Sequence, residues 1–232
     1  PAGEKANVLF DVGALLAHGK TEKAAIHRIS SKEIGGYSVL APTSRRKKPV
    51  TVYFVARFNQ NMTAFGGWEK EGKEKKLVHK NSIEGADIGG YASFGKLKKQ
   101  TLLMKVGISY VSEEQARINL EKELAHWNFD RVKEDAFAEW NRELGKITVE
   151  GGSEEEKIKF YTDLWHSLLG RHTFSDFNGK YIDNTGEEPV VRQVPLDNGT
   201  PTRNTYNSDA FWGSEFNLNI LWSIAYPKVM SE

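Results

Sequence analysis

The fold class this sequence predicts is antiparallel β followed by α: a β-sandwich over the first half, then amphipathic helices. Three observations predict it. Before residue 111 the apolar runs are short and are separated by Gly, Pro and charge clusters, as strands in a sandwich are. After that point apolar residues recur at three- and four-residue spacing behind serine-led capping signals, as helices do. The charge reverses at the same place. Residues 1–111 hold 19 Lys and Arg against 9 Asp and Glu, a balance of +10, and residues 112–232 hold 13 against 22, a balance of −9. A shift of texture and charge at one point marks a boundary near Ser112.

In chain order, Asn7–Gly13 (NVLFDVG) is a short strand rich in branched residues. Ala24–Ser30 alternates in part, and Glu33–Leu40 carries a Gly35-Gly36 turn signal. Val50–Phe58 (VTVYFVARF) is the strongest strand, with Val50, Val52, Phe54, Ala56 and Phe58 on one face. Thr101–Val111 is another. Five or six strands with no opening strand describe an incomplete sandwich, and a start at Pro1 reads as an internal piece of a longer protein.

Ser112-Glu-Glu-Gln115 reads as a capping box in which the hydroxyl serves an orphan N–H and the Gln reaches back. The helix it opens, about 113–124, carries Ala116, Leu120 and Leu124 at four-residue spacing. Asp130 caps a second helix with Val132, Ala136, Trp140 and Leu144 on one stripe, closed by Gly145. Ser153-Glu-Glu-Glu156 is a second capping box, and its helix carries Ile158, Tyr161, Leu164 and Leu168 on one face. Trp140, Trp165 and Trp222 fall on such stripes and read as core, as does His166. A long irregular loop from about 170 to 207 follows, too long for a mere connector. Ser208 or Asp209 then caps a fourth helix running to Tyr226 before Pro227.

Composition excludes several functions. Mean hydropathy is −0.54 and no long apolar run exists, so no transmembrane helix is expected. With no cysteine, disulfides, zinc-thiolate sites, iron–sulfur clusters and Cys nucleophiles are ruled out. The basic clusters Arg45–Lys48, Lys73–Lys76 and Lys96–Lys99 sit in turns and mix with Glu69, Glu71 and Glu74, which reads as solvated hairpin tips and not as a nucleic-acid face. His18, His27, His79, His126 and His172 form no metal-ligand spacing, and the Gly-rich runs lack nucleotide-binding context. Asn61-Met-Thr63 and Asn198-Gly-Thr200 match the glycosylation sequon, a common chance motif.

In the second half the residues become specific. Gly107, Ser109, Ser112, Gln115, Ala116, Asn119, Leu120, Phe129, Trp140, Leu144 and Ile147 are followed by Phe160-Tyr161-Thr162, Leu164 and His166. Then come Phe174-Ser175-Asp176, Gly179 and Tyr181, an FSDxxGxY pattern. In the first half stand Val8-Leu9-Phe10-Asp11-Val12-Gly13, the run Val52–Phe58, Phe65-Gly66 and Trp68. In this order the motifs resemble glycoside hydrolase family 92, the calcium-dependent exo-acting α-mannosidases, over nearly the whole chain. The resemblance implies a large enzyme in which an N-terminal β-sandwich packs on a C-terminal (α/α)6 toroid, with the active site at their junction. Residues 1–111 are then the late part of the sandwich, 112–152 the linking helices, and 153–232 the opening of the toroid. It further implies an inverting hydrolase acting on terminal α-mannosides, with its general acid, general base and most calcium ligands beyond Glu232. The piece alone is therefore expected to be inactive and to associate with the rest of its own polypeptide. A carbohydrate partner and a periplasmic or secreted location follow from the family alone.

The chain departs from the family at one place. A WDTFR-like motif is expected to open the helix after the long loop, and the sequence reads Trp212-Gly213-Ser214-Glu215-Phe216. The Trp matches, Gly213 stands at the carboxylate position and Phe216 at the Arg position, with Glu215 as a displaced carboxylate. Candidates for substrate contact are therefore Trp212, Glu215, Asp176, Tyr181, Asp209 and Trp68. Each has a plain structural alternative: Asp209 as an N-cap, Asp176 in an Asx-turn, Glu215 solvated on its helix, Trp212 in the core. Trp68 lies at the end of the Phe65-Gly66-Gly67 loop. The competing function is a non-catalytic carbohydrate-binding sandwich with a helical appendage.

Overall fold

The computed structural model describes every residue except 1–4, 15–18, 45, 72–73, 98–100, 170–171, 208–217 and 232. Nine strands come first: β1 (Lys5–Phe10), β2 (Thr21–Arg28), β3 (Glu33–Leu40), β4 (Val50–Phe58), β5 (Ala64–Glu71), β6 (Glu74–Val78), β7 (Ser82–Gly85), β8 (Gly89–Lys96) and β9 (Met104–Ser109). Helices α1 (Glu113–Glu123), α2 (Phe129–Leu144) and α3 (Glu154–Leu168) follow. Then come six short strands, β10 (His172–Thr173), β11 (Lys180–Asp183), β12 (Val190–Gln193), β13 (Leu196–Asp197), β14 (Thr200–Pro201) and β15 (Tyr206–Asn207). Helices α4 (Leu218–Ala225) and α5 (Pro227–Ser231) end the described chain. The chain divides into two units, residues 1–127 with 180–193, and residues 128–179 with 194–232.

The first unit is a β-sandwich of two antiparallel sheets, ordered β1-β8-β5-β6 and β7-β2-β3-β4-β9. Alternation in β4 behaves as the sequence predicts: Ala56 and Phe58 enter the core with Ile26, Ile34, Phe65, Ile83, Ala92 and Phe94. Burying a side chain such as Phe58 stabilises the sandwich by about 2–3 kcal/mol. Val55, on the opposite face of β4, is also fully buried, because α1 covers it with Ala116 and Leu120. Gly107 on β9 makes this docking possible, since a Cβ there would lie 2.2 Å from the Ala116 carbonyl oxygen.

Charged side chains clamp α1 to the sheet. The Arg57 Nε donates to Glu33 Oε2 at 2.6 Å, the Arg117 guanidinium donates to Glu33 Oε1 at 2.7 Å, and Arg57 also reaches Glu121 at 2.8 Å. Burial pushes the Glu33 carboxyl up, but the hydrogen bonds from Arg117 and Arg57 outweigh it and hold the group below the usual carboxylate range. At the C-terminus of α1 the Lys105 Nζ donates to the carbonyls of Leu124 at 2.6 Å and His126 at 3.3 Å, and stands 4.2 Å from the centre of the Trp127 ring. A cation there satisfies orphan carbonyls and complements the helix dipole.

The β11–β12 hairpin belongs to this unit. The Lys48 Nζ donates to the carbonyls of Asn184, at 2.8 Å, and Gly186. Asp183 ends β11 in an Asx-type turn, accepting from the Thr185 hydroxyl at 2.6 Å and the Thr185 N–H at 2.9 Å, with Arg192 at 2.5 Å. Those hydrogen bonds, led by the Thr185 hydroxyl, pull its carboxyl down to about 2.

In the second unit α3 packs on α4. Leu164, Trp222 and Tyr226 are buried together, with Leu144, Phe160, Tyr161, Leu168 and Leu221 around them. The capping box at Ser153 is complete: its N–H donates to Glu156 Oε2 at 2.7 Å and its hydroxyl accepts from the Glu156 N–H at 3.3 Å. Asn198-Gly199 forms the two-residue turn between β13 and β14, with Asn198 at φ 47° as a primed turn demands.

Several expectations are corrected. At Ser112 only half of the capping box forms; Gln115 N–H donates to the Ser112 hydroxyl at 3.1 Å, while the Gln115 side chain is buried and its Oε1 finds no partner. Asn128, and not Asp130, caps α2, accepting from the Arg131 N–H at 3.0 Å. Trp140 and Trp165 are exposed, edge to face at 6.1 Å, because no residue of α2 is buried among the described residues. His166 is exposed beside Trp165 and is not core. The segment from 170 to 207 is not irregular: it carries three two-stranded ladders, β10–β15, β11–β12 and β13–β14. Four strands, β5 to β8, are absent from the strand-by-strand sequence reading.

Candidate functional site

Asp176 sits where the second unit turns from α3 into its ladders. β10 pairs with β15, and beyond the pair the N–H groups of Phe174 and Ser175 donate to the Thr205 carbonyl at 2.7 and 3.3 Å. The Thr205 N–H donates back to the Ser175 hydroxyl at 3.0 Å. This clamp presents the turn 176–179, closed by the Gly179 N–H donating to the Asp176 carbonyl at 2.7 Å. Asp176 is 6% exposed and is engaged within the structure.

The other candidates lie elsewhere in the chain. Tyr181 is half-buried on β11, paired with Arg192, in the first unit. Trp68 is also in the first unit, but in the middle of β5 and not at the end of a loop. The backbone can pair through Gly66 and Gly67 because glycine leaves room: Trp68 pairs with Leu77 on one side and Gly89 on the other. The indole lies directly over Gly89, where a Cβ would stand 2.0 Å from Trp68 Cζ2. Lys75 Nζ stands 5.4 Å from the ring centre, and the indole Nε1 is buried with no hydrogen-bond partner. Trp68 therefore offers a partly exposed ring but no accessible donor. Trp212, Glu215 and Asp209, with Gly213 and Phe216, lie outside the described residues.

Calcium takes six to eight oxygen ligands, usually with several carboxylates. The described residues contain no group of three or more His, Asp or Glu side chains able to hold a metal ion. The described residues therefore do not by themselves fit a calcium site.

A cavity that sequence reasoning missed lies in the second unit. It measures about 390 Å³ and is lined by Glu139, Trp140, Arg142, Glu143 and Lys146 from α2 and its C-terminus, by Leu168, by Asn204 and Tyr206, and by Trp222, Tyr226 and Lys228. The Tyr226 hydroxyl donates to the Glu143 carbonyl at 3.0 Å, and Lys146 Nζ stands 4.8 Å from the centre of its ring. Burial, with the Glu143 charge behind it, pushes the Tyr226 hydroxyl above its usual range. The signal available in the sequence was the alternation of charge at 139, 142 and 143, which places these three on one helix face, with Lys146 just past the C-cap.

Similarity to known proteins runs the length of the chain. Residues 1–109 match the glycosyl hydrolase family 92 N-terminal domain, and residues 115–232 match the glycosyl hydrolase family 92 catalytic domain. An uncharacterized secreted glycosidase of Arthroderma benhamiae is 30% identical over 90 residues, which are 37% of this chain and 10% of that protein. Among solved structures, a family GH92 α-mannosidase from Bacteroides thetaiotaomicron, also solved with mannoimidazole, superposes with a TM-score of 0.81 at 22% identity. It is matched over 99% of this chain and 30% of its own. A family GH92 inverting mannosidase from the same species gives 0.80 at 21% identity, over 99% of this chain and 29% of that one. The likeness at this identity establishes the fold, antiparallel sheets followed by the start of a helical domain. The chain spans about 30% of the solved relatives it matches.

Proposed function

The chain belongs to glycosyl hydrolase family 92, and from that premise we propose that it is the sandwich-to-helix portion of an exo-acting α-mannosidase. The whole enzyme removes terminal α-mannosides from glycans with inversion, depends on calcium, and works outside the cytoplasm. The observation that carries this reading is the pair of family matches, N-terminal domain then catalytic domain, in one order along one chain. The match over 115–232 weighs against a non-catalytic sugar-binding module, which has no use for a catalytic-domain segment.

Inversion requires an acid that protonates the leaving oxygen and a base that activates water, with the two carboxyls about 6.5–9.5 Å apart. No pair in this chain is given those roles. Its contribution is to hold the sugar. In the second unit Asp176, presented on its clamped turn, accepts from sugar hydroxyls; in the first unit Tyr181 and Trp68 are separate candidates for aromatic contact. Trp212, Asp209 and Glu215, outside the described residues, are the further candidates for substrate contact, with Glu215 as the carboxylate in place of the one that Gly213 lacks. A calcium ion, with ligands expected mostly beyond this chain, would supply electrostatic contact to the hydroxyls of the terminal sugar.

The test is hydrolysis of an aryl α-mannoside by the natural polypeptide that carries this chain. Mannose released first as the β-anomer, loss of activity in EGTA and its return with calcium are the expected results. The 232-residue piece alone is expected to be inactive. No release from any α-mannoside, or release as the α-anomer, would overturn the reading.

A further inference from the structure

We infer that Asn198 is a site of spontaneous deamidation: its side-chain amide is lost to attack by the backbone nitrogen of Gly199, leaving aspartate and isoaspartate at the tip of the β13–β14 hairpin. The sequence holds two Asn-Gly pairs, Asn178-Gly179 and Asn198-Gly199. Glycine follows the asparagine in both, so no Cβ hinders the approach of the nitrogen to the amide carbon. Sequence gives the two pairs equal standing, and the fold separates them.

Asn178-Gly179 is locked. Gly179 is buried, its N–H donates to the Asp176 carbonyl at 2.7 Å, and its own carbonyl accepts from the Val194 N–H at 3.0 Å. Asn178 is half-buried and engaged within the structure. The nitrogen that would attack is already committed, and freeing it opens the turn that carries Asp176. Asn198-Gly199 is open. Both residues are exposed, as are Asp197 and Thr200 on either side. Nothing among the described residues accepts from the Gly199 N–H. The ladder that holds this turn consists of two pairs, Leu196 with Pro201 and Asp197 with Thr200, so a local opening gives up few contacts. The base of the hairpin is closed separately: the Thr202 N–H and hydroxyl donate to the Pro195 carbonyl at 3.0 and 2.9 Å. The tip can open while the base stays in place.

The chemistry balances with water as the only co-reactant. The Gly199 nitrogen gives up its proton and bonds to Asn198 Cγ. The bond from Cγ to the amide nitrogen breaks, ammonia leaves, and a succinimide ring closes. Water then opens the ring at one of its carbonyls. Opening at the side-chain carbonyl yields aspartate. Opening at the main-chain carbonyl yields isoaspartate, which routes the backbone through the former side chain and adds a methylene to a turn fitted to two residues. Either product puts a carboxylate where the Asn198 amide now donates to Asp197 Oδ1 at 3.2 Å. Like charges side by side then disfavour the original turn.

The experiment incubates the natural polypeptide that carries this chain at neutral pH, both native and unfolded in urea. Peptide mass mapping follows the two asparagines, and enzymatic methyl labelling counts isoaspartate. In the native protein Asn198 is expected to lose its amide at least about fivefold faster than Asn178, the factor set by the one hydrogen bond that holds the Gly179 nitrogen. In urea the two rates are expected to come together. Neither rate depends on the mannosidase reading. Three results would overturn the inference: Asn178 keeping pace with Asn198 in the native protein, an intact Asn198 over a time in which the unfolded chain loses its amide, or a native-sized ratio that persists in urea.

Discussion

The sandwich unit and the helical unit bury their apolar residues in opposite ways. In the sandwich, inward positions of both sheets close on one another, and the outer face of β4 is sealed by α1. In the helical unit the described core is the small group of Leu164, Trp222 and Tyr226, while Phe137 of α2 is 68% exposed and Ile224 of α4 78%. The same kind of amphipathic helix is buried in one unit and uncovered in the other. α1 has a partner sheet with a glycine notch at Gly107, whereas α2 meets no such surface among the described residues. Periodicity thus reports that a helix has an apolar face, not that the face is covered.

That contrast can be broken by paired substitutions. Phe58→Ala in the sandwich core is expected to cost about 3–5 kcal/mol of stability, whereas Phe137→Ala is expected to stay within about 0.5 kcal/mol. Denaturant unfolding of both variants checks this, and a large loss at Phe137 would show that α2 is covered in solution. Glu33→Gln leaves Arg57 and Arg117 without their shared partner. It is expected to cost about 3 kcal/mol or somewhat less, since both guanidinium groups remain about 30% exposed. Its pH dependence has a definite sign. The folded carboxyl titrates below the unfolded value of about 4.3. The stabilisation is therefore present above that value and is lost as pH falls through the folded value. Urea midpoints of the parent and Glu33→Gln should diverge near neutrality and converge in acid. Smaller than the losses at Phe58 and Glu33, Ser153→Ala removes the hydroxyl half of a complete capping box and is expected to cost about 1 kcal/mol. Hydrogen exchange should show that loss confined to the first turns of α3.

Some of this was legible in the residues and some was not. β4 was readable because valine and aromatic residues alternate with nothing to interrupt them. β5 and β8 were hidden by their glycines, which carry no side chain to show which face is buried, although Gly66, Gly67, Gly89 and Gly90 are what lets these strands pair closely. The start of α2 was misplaced by two residues because Asn128 and Asp130 are equally good caps, and only geometry chooses between them. The ladders between 172 and 207 are mostly two residues long, below the length at which alternation is visible. For the candidate site, only the order of motifs pointed to carbohydrate chemistry. The clamp that presents Asp176 depends on Thr205, nearly thirty positions downstream, and no local pattern announces it.

One feature of the chain path bears on how it is made. The sandwich unit is discontinuous in sequence: its last part, residues 180–193, is synthesised after α2 and α3. The Lys48 ammonium waits 138 residues for the Gly186 carbonyl it binds. A nascent chain can close the two sheets as soon as β9 has emerged, but the carbonyls that Lys48 binds do not yet exist, and the helices fold in the interval. Cutting the protein near residue 127 would yield a sandwich with that cation unclaimed by the hairpin, so a cleanly expressed half-protein is not the same object as the half within the whole.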